Sequence, residues 1–219
     1  MAHAFRRRHE HYVGRLDAEE RGILASLMEQ VLGLVAPDRS DTEVDEFEEM
    51  LRVAGLAHLD QDSAAPPSYD DLDAPDRDPA LDRLIPDAHR QDPLIAAEFR
   101  RMSAPGLRER KADNLRAAIA SLHRAGGGRR GDEIRLNEQE AQAFVVALTD
   151  VRLVVGERLS LRTDADADRL ELALAAGALD AQETWLVSVY DFLTWLQEGL
   201  AEALLGGLDS GGGGTTRDR

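Results

Sequence analysis

Residues Asp180–Leu205 read DAQETWLVSVYDFLTWLQEGLAEALL, and this stretch decides the fold class. Leu186, Val189, Leu193, Leu196, Leu200 and Leu204 return at helical spacing and form one apolar stripe. Trp185, Phe192 and Trp195 form a second stripe beside it. Asp180 and Glu183 stand three residues apart at its start, the spacing at which each side chain can bond the other's backbone N–H. A helix apolar on two sides is either central to a core or packed against a partner. The first expectation is a central helix in a monomer. The alternative is a homodimer or docked partner on the Trp185, Phe192 and Trp195 stripe, because tryptophan is enriched in interface cores.

The same grammar recurs outward from this helix. Asn137 and Glu140 open a helix whose Ala141, Phe144, Val145, Leu148, Val151, Val155 and Leu159 share a face. Asp17 and Glu20 open another, with Ile23, Leu24, Leu27, Val31, Leu34 and Val35 in a stripe and Pro37 as its stop. Thr42–Ala54 reads as an acidic amphipathic helix carrying Val44, Phe47, Met50 and Leu51. Pro79–Ile85 makes one short turn before Pro86. Pro93 suits the first position of a helix bearing Ile95, Phe99 and Met102, which is expected to break near Pro105. A separate helix then runs to about His123 with Leu107, Leu115, Ile119 and Leu122 inward. Gly126–Gly131 is basic and glycine-rich, lacks the features of a phosphate loop, and reads as a mobile loop.

Phe5–Leu16 departs from this period. Tyr12, Gly14 and Leu16 share one parity and His9-Glu10-His11 supplies a turn, which predicts a β-hairpin. A lone hairpin is marginal in water, so a third strand is expected, and Glu133–Leu136 is the candidate. The predicted strands are 4–8, 11–16 and 132–136. The expected fold is mainly α: a helical bundle with a small two- or three-stranded antiparallel β-sheet. It forms one domain over 1–205, interrupted by a flexible acidic linker at 57–78 and followed by a disordered Gly-rich tail at 206–219. Leu27, Phe144, Leu148, Val189, Leu193 and Leu196 should lie in the core.

Composition excludes several function classes. The chain has no cysteine, which removes disulfides, thiol catalysis, iron–sulfur clusters and any thiol switch of its own. Its net charge of −16 opposes tight autonomous binding to nucleic acid or anionic membrane. No apolar run is long enough to span a bilayer and no signal peptide opens the sequence, so a cytoplasmic location is expected. Asp164, Asp166 and Asp168 start like a calcium loop, but Arg169 and Ala175 stand where the loop needs Gly and Glu, so helix capping is the better account. His3, His9 and His11 lack a carboxylate to orient them, so no metal site is expected. No Gly-x-Ser-x-Gly elbow is present, and the carboxylates are too numerous for any pair to be informative. The expectation is a non-enzyme without catalytic residues or cofactors.

Charge is unevenly placed. Residues 1–16 sum to +3 and 98–135 to +5, whereas 37–78 sum to −11 and 137–219 to −9. Arg100, Arg101, Arg108, Arg110 and Lys111 form the candidate docking patch for an acidic partner. Lys111 is the sole lysine, which reads as composition bias. Trp185, Phe192 and Trp195 complete the candidate partner-binding residues.

Four stretches in order carry a family resemblance: Phe5–Arg8 with Tyr12–Glu20; Leu84–Arg90 leading to Ala97–Arg101; Ala147–Gly156; and Tyr190–Glu198. Together they resemble the actinobacterial family, first described only as a domain of unknown function, that is named for the oxidative-stress regulator AosR and encoded beside the adaptor ClpS. The resemblance implies a regulator that contacts an RNA polymerase sigma factor under oxidative stress, and it implies no enzyme. Redox control in that family is attributed to cysteines. This chain has none, so no sensing residue carries over. The alternatives are a direct DNA-binding regulator, through Arg6–Arg8 or the helix near Arg108, and a Clp-linked adaptor or structural protein.

Overall fold

The computed structural model describes residues 3–36, 78–86, 93–125 and 132–211, with side chains described over 4–36, 78–86, 104–125 and 132–206. Three strands and six helices occupy these residues: β1 (His3–Arg8), β2 (His11–Arg15), α1 (Ala18–Val35), α2 (Pro79–Leu84), α3 (Pro93–Arg124), β3 (Glu133–Leu136), α4 (Glu138–Arg158), α5 (Asp164–Ala175) and α6 (Ala181–Gly211). The expected helical bundle with a small antiparallel sheet is what the chain forms. The Thr42–Ala54 helix, the linker up to residue 77 and the 126–131 loop lie outside the described residues.

The sheet order is β1-β2-β3, antiparallel throughout. His9 turns the hairpin with a left-handed φ of 58°. The β1–β2 register shifts between His3 and Arg6, a bulge of the kind that re-aims side chains. Ala4 and Phe5 lie in it. Phe5 closes over Gly14, where an added Cβ would come within 3.0 Å of its ring, and meets Phe144 edge-on at 5.6 Å. Ala4 meets α6 at Gly199, where a Cβ would stand 2.6 Å from the Ala4 Cβ. Two glycines therefore set how closely the sheet approaches its helix and its own neighbour strand.

Helix α4 is the hub. It packs against α1, α2, α3 and α6 and touches β2 and β3. Its Phe144, Ala147, Leu148 and Val151 are fully buried. Each such large apolar side chain stabilises the fold by ~1.5–3 kcal/mol. Helix α6 packs on α4 and β1, so the last helix borders the centre rather than occupying it. Val189, Leu193 and Leu196 are buried as expected, whereas Leu27 is half-buried at the rim. The predicted caps form: Asp17 with Glu20, Asn137 with Glu140, and Asp180 with Glu183 bond reciprocally.

The bounds of two helices differ from the expectation. Helix α3 does not break at Pro105 but runs through it to Arg124. A proline costs an interior helix about 3 kcal/mol. Here Pro105 faces solvent, and the helix packs on α1 and α4. Helix α6 continues through Gly206 to Gly211, past the 206 bound expected for the tail. Glycine costs a helix only about 1 kcal/mol per residue, which an established helix tolerates. Residues 212–219 lie outside the described residues.

Candidate functional site

Helix α5 precedes the surface of interest in the chain. Asp166 caps it, its Oδ2 accepting from the Thr163 N–H at 2.7 Å and the Thr163 hydroxyl at 2.8 Å. It ends at Gly177, whose left-handed φ of 64° lets Ala178 N–H reach Ala173 O and Gly177 N–H reach Leu174 O. None of its residues is buried, and Leu172 is 71% exposed. The chain returns from α5 into α6, whose first turn is exposed in consequence. Trp185 is 46% exposed there.

Below Trp185 lies a groove of about 460 Å³ between α1, α4 and α6. Leu27, Leu34, Val154, Trp185 and Leu186 line it together with the polar Gln30, Gln182 and Arg158. Arg158 donates to Asp78 through both Nη atoms, one at 3.0 Å to Oδ1. This pair holds Asp78 below the ordinary aspartate value. Farther along α6, half-buried Phe192 and Trp195 stack with centroids 6.1 Å apart at 31°, and Trp195 is 39% exposed. The second stripe of α6 thus presents Trp185 at the groove, then half-buried Phe192 beside exposed Trp195.

Arg152 fixes α6 against α4. Its Nη1 donates to Gln197 Oε1 at 2.8 Å, its Nη2 reaches the Tyr190 hydroxyl at 3.3 Å, and its guanidinium lies 5.1 Å from the Tyr190 ring centre. At the C-terminal end of α4, buried Glu157 accepts from Arg162 and, at 3.5 Å, from Arg83 of α2. Sequence reading missed this cluster, because its members come from three separate stretches.

The basic patch expected on α3 divides. Lys111 points inward and donates to Asp150 Oδ1 at 2.5 Å; the two side chains are 14% and 2% exposed. Burial pushes the Asp150 carboxyl above its ordinary value, against the pull of Lys111. Arg108 is half-buried, and its Nε, like Asp150 Oδ2, lacks a hydrogen-bond partner among the described residues. Arg110 is exposed and lies about 160° around the helix from Arg108. Arg100 and Arg101 belong to α3, but their side chains lie outside the described residues. The five residues therefore do not share one face: Lys111 serves the interior, and Arg110 is the solvent-facing member among the described side chains.

Among the described residues, no group of three or more His, Asp or Glu side chains is placed to hold a metal ion. Among them also, no helix is long and apolar enough to cross a membrane. The chain belongs to the family described as domain of unknown function (DUF2017), which matches residues 2–204. No curated protein and no solved structure matches it.

Proposed function

We propose that this member of the family is a non-enzymatic regulatory protein that works by binding a protein partner, an RNA polymerase sigma factor in the oxidative-stress response. The observation that carries the binding role is the treatment of tryptophan. Both tryptophans of the chain stand 39–46% exposed on a helix whose Leu193, Leu196 and Leu200 are fully buried. Trp185 overhangs an apolar groove, and Trp195 stacks on Phe192 beyond it. An aromatic anchor beside a preformed apolar groove is the usual chemistry of an interface centre. The resemblance of the four stretches supplies the sigma factor and the oxidative-stress setting. Without cysteine the chain has no thiol of its own with which to sense oxidation.

Titration calorimetry against purified sigma factors of the native host tests this reading. Trp185→Ala should weaken binding at least ~30-fold, about 2 kcal/mol, with unchanged far-UV circular dichroism. Equal binding by the variant, or capture of Clp components instead of RNA polymerase from peroxide-treated cells, refutes it.

A further inference from the structure

The sheet has two faces of opposite character. Tyr12, Gly14, Ile134 and Leu136 point into the core. The register fixes what lies on the other side. Arg6, Val13 and Arg135 stand in one row across the three strands, Arg8 sits opposite His11 in the next, and Arg15 sits opposite Glu133 on the far side. Arg6, Arg8, Arg15 and Arg135 are all exposed, and Val13 at their centre is buried. Among the described residues Arg6, Arg8 and Arg15 have no ion-pair partner, while Arg135 has Glu133 at 3.9 Å. Four guanidinium groups against one carboxylate thus crowd one small face of a chain whose net charge is −16.

Such a concentration is costly to hold unless something acidic uses it, since like charges on neighbouring strands repel. We infer that this outer sheet face is a docking surface for an extended acidic protein segment, separate from the groove at Trp185. Spacing favours that occupant. Arg6 and Arg8 are two residues apart on a strand, about 7 Å, which is also the repeat of alternate side chains on an extended ligand. Neighbouring strands lie ~4.8 Å apart, so the columns from Arg6 to Arg135 span about 10 Å. Guanidinium groups engage carboxylates through paired N–H donors.

Charge and shape disfavour a nucleic acid. A duplex carries one charge per ~1.7 Å and extends far past the patch, where it meets the acidic remainder of the protein. A short acidic segment feels only charges within a screening length of ~8 Å at physiological salt. Among the described residues the face carries no Phe, Tyr or Trp on which bases could stack, because Tyr12 points into the core and His11 is the one ring on it.

The test uses the full chain and a fluorescent poly-glutamate peptide as probe, with a random-sequence DNA duplex in parallel, read by fluorescence anisotropy. The peptide should bind in low salt and weaken as salt rises. The triple variant Arg6→Glu/Arg8→Glu/Arg15→Glu should lose at least tenfold in affinity. The neutral variant Arg8→Ser/Arg15→Ser, which is gentler on the hairpin, should lose several-fold. Reversing Arg110, Arg116 and Arg169 together, equal in charge but remote from the sheet, should change binding less than twofold. Equal losses in this control and the triple variant overturn the proposal, as does unchanged binding by the neutral variant. Preferential duplex binding that the triple variant abolishes also overturns it and assigns the face to nucleic acid. Trp185→Ala should leave peptide binding intact, so failure of the groove reading and failure of this one are distinguishable.

Discussion

Replacing Lys111 by methionine tests the interior with the sharpest sign. Lys111 is the sole lysine, and its ammonium lies 2.5 Å from a carboxylate that is almost completely buried. Removing it leaves Asp150 charged, with Oδ2 already lacking a partner among the described residues. An uncompensated buried charge costs about 3–5 kcal/mol. Lys111 itself retains some solvent contact, so the lower end, about 3 kcal/mol, is expected. That is a large share of the 5–15 kcal/mol typical of a whole domain. Asp150→Asn should cost less, about 1–2 kcal/mol, because a lysine stem can carry its ammonium outward to water. The double variant Lys111→Met/Asp150→Leu removes both charges and should return to within about 1 kcal/mol of the parent. Urea denaturation of the four proteins completes the cycle. The pH dependence follows from the raised Asp150 value. A raised carboxyl favours the folded state below the ordinary aspartate value, and that contribution is lost as pH rises through the folded value. Lys111 limits this loss in the parent. Without it the loss is greater, so the deficit of Lys111→Met should be widest at neutral pH and shrink toward pH ~4. A deficit below about 1 kcal/mol that does not vary with pH, with additive single effects, would refute the buried-pair reasoning.

Four further substitutions probe the backbone and one ion pair. Gly199→Ala should destabilise by about 1 kcal/mol, since overpacking against Ala4 costs about 1–3 kcal/mol and the helix gains only about 1. Gly33→Ala, with open space around it, should instead stabilise by ~0.5–1 kcal/mol, and matching signs in thermal melts would contradict the packing argument. Ser160→Gly should stabilise by ~0.5–1 kcal/mol, because Ser160 holds a left-handed φ of 56° where α4 ends with Leu161 N–H on Gly156 O. Asp78→Asn should cost under ~1 kcal/mol at neutral pH, as Arg158 is largely exposed. The Asp78 carboxyl is lowered, so its contribution is present above the ordinary value and lost as pH falls through the folded one. Parent and variant should therefore converge in strong acid, and a difference that persists there would rule out the pairing with Arg158.

The legible parts of this fold were those encoded locally. Capping boxes at Asp17, Asn137 and Asp180 need only a spacing of three residues, and each forms. The hairpin and its partner Glu133–Leu136 followed from parity and from the instability of two strands alone. Pro105 misled because local propensity was weighed without the tertiary packing that overrides it. The site was less legible. Periodicity places Leu27 and Leu34 on the inward stripe of α1, but it cannot say whether a neighbour covers them; in the structure they wall an open groove. The stripe was wider than the core it meets, and that width was the available signal. Lys111 went the other way. Among four nearby arginines it read as surface charge, and only the arrival of Asp150 from 39 residues later turns it inward. Arg6, Arg8, Arg15 and Arg135 were all visible in the sequence, but the bulge and the second register are needed to gather them on one face.

These placements divide the molecule by what each charge can do. Lys111, Glu157 and Arg152 are spent inside, each tying α4 to another part of the chain. Glu157 holds α2 through Arg83, and Arg152 holds α6 through Tyr190 and Gln197. Packing and ion pairs thus converge on one helix, which leaves α1, α5 and the start of α6 free to expose apolar groups without loosening the centre. The groove at Trp185 is lined mostly by apolar side chains, with Gln30, Gln182 and Arg158 as its polar members. Recognition by surface, with affinity from aromatic contact at α6 and selectivity from the arginine face of the sheet, is the chemistry this distribution supports.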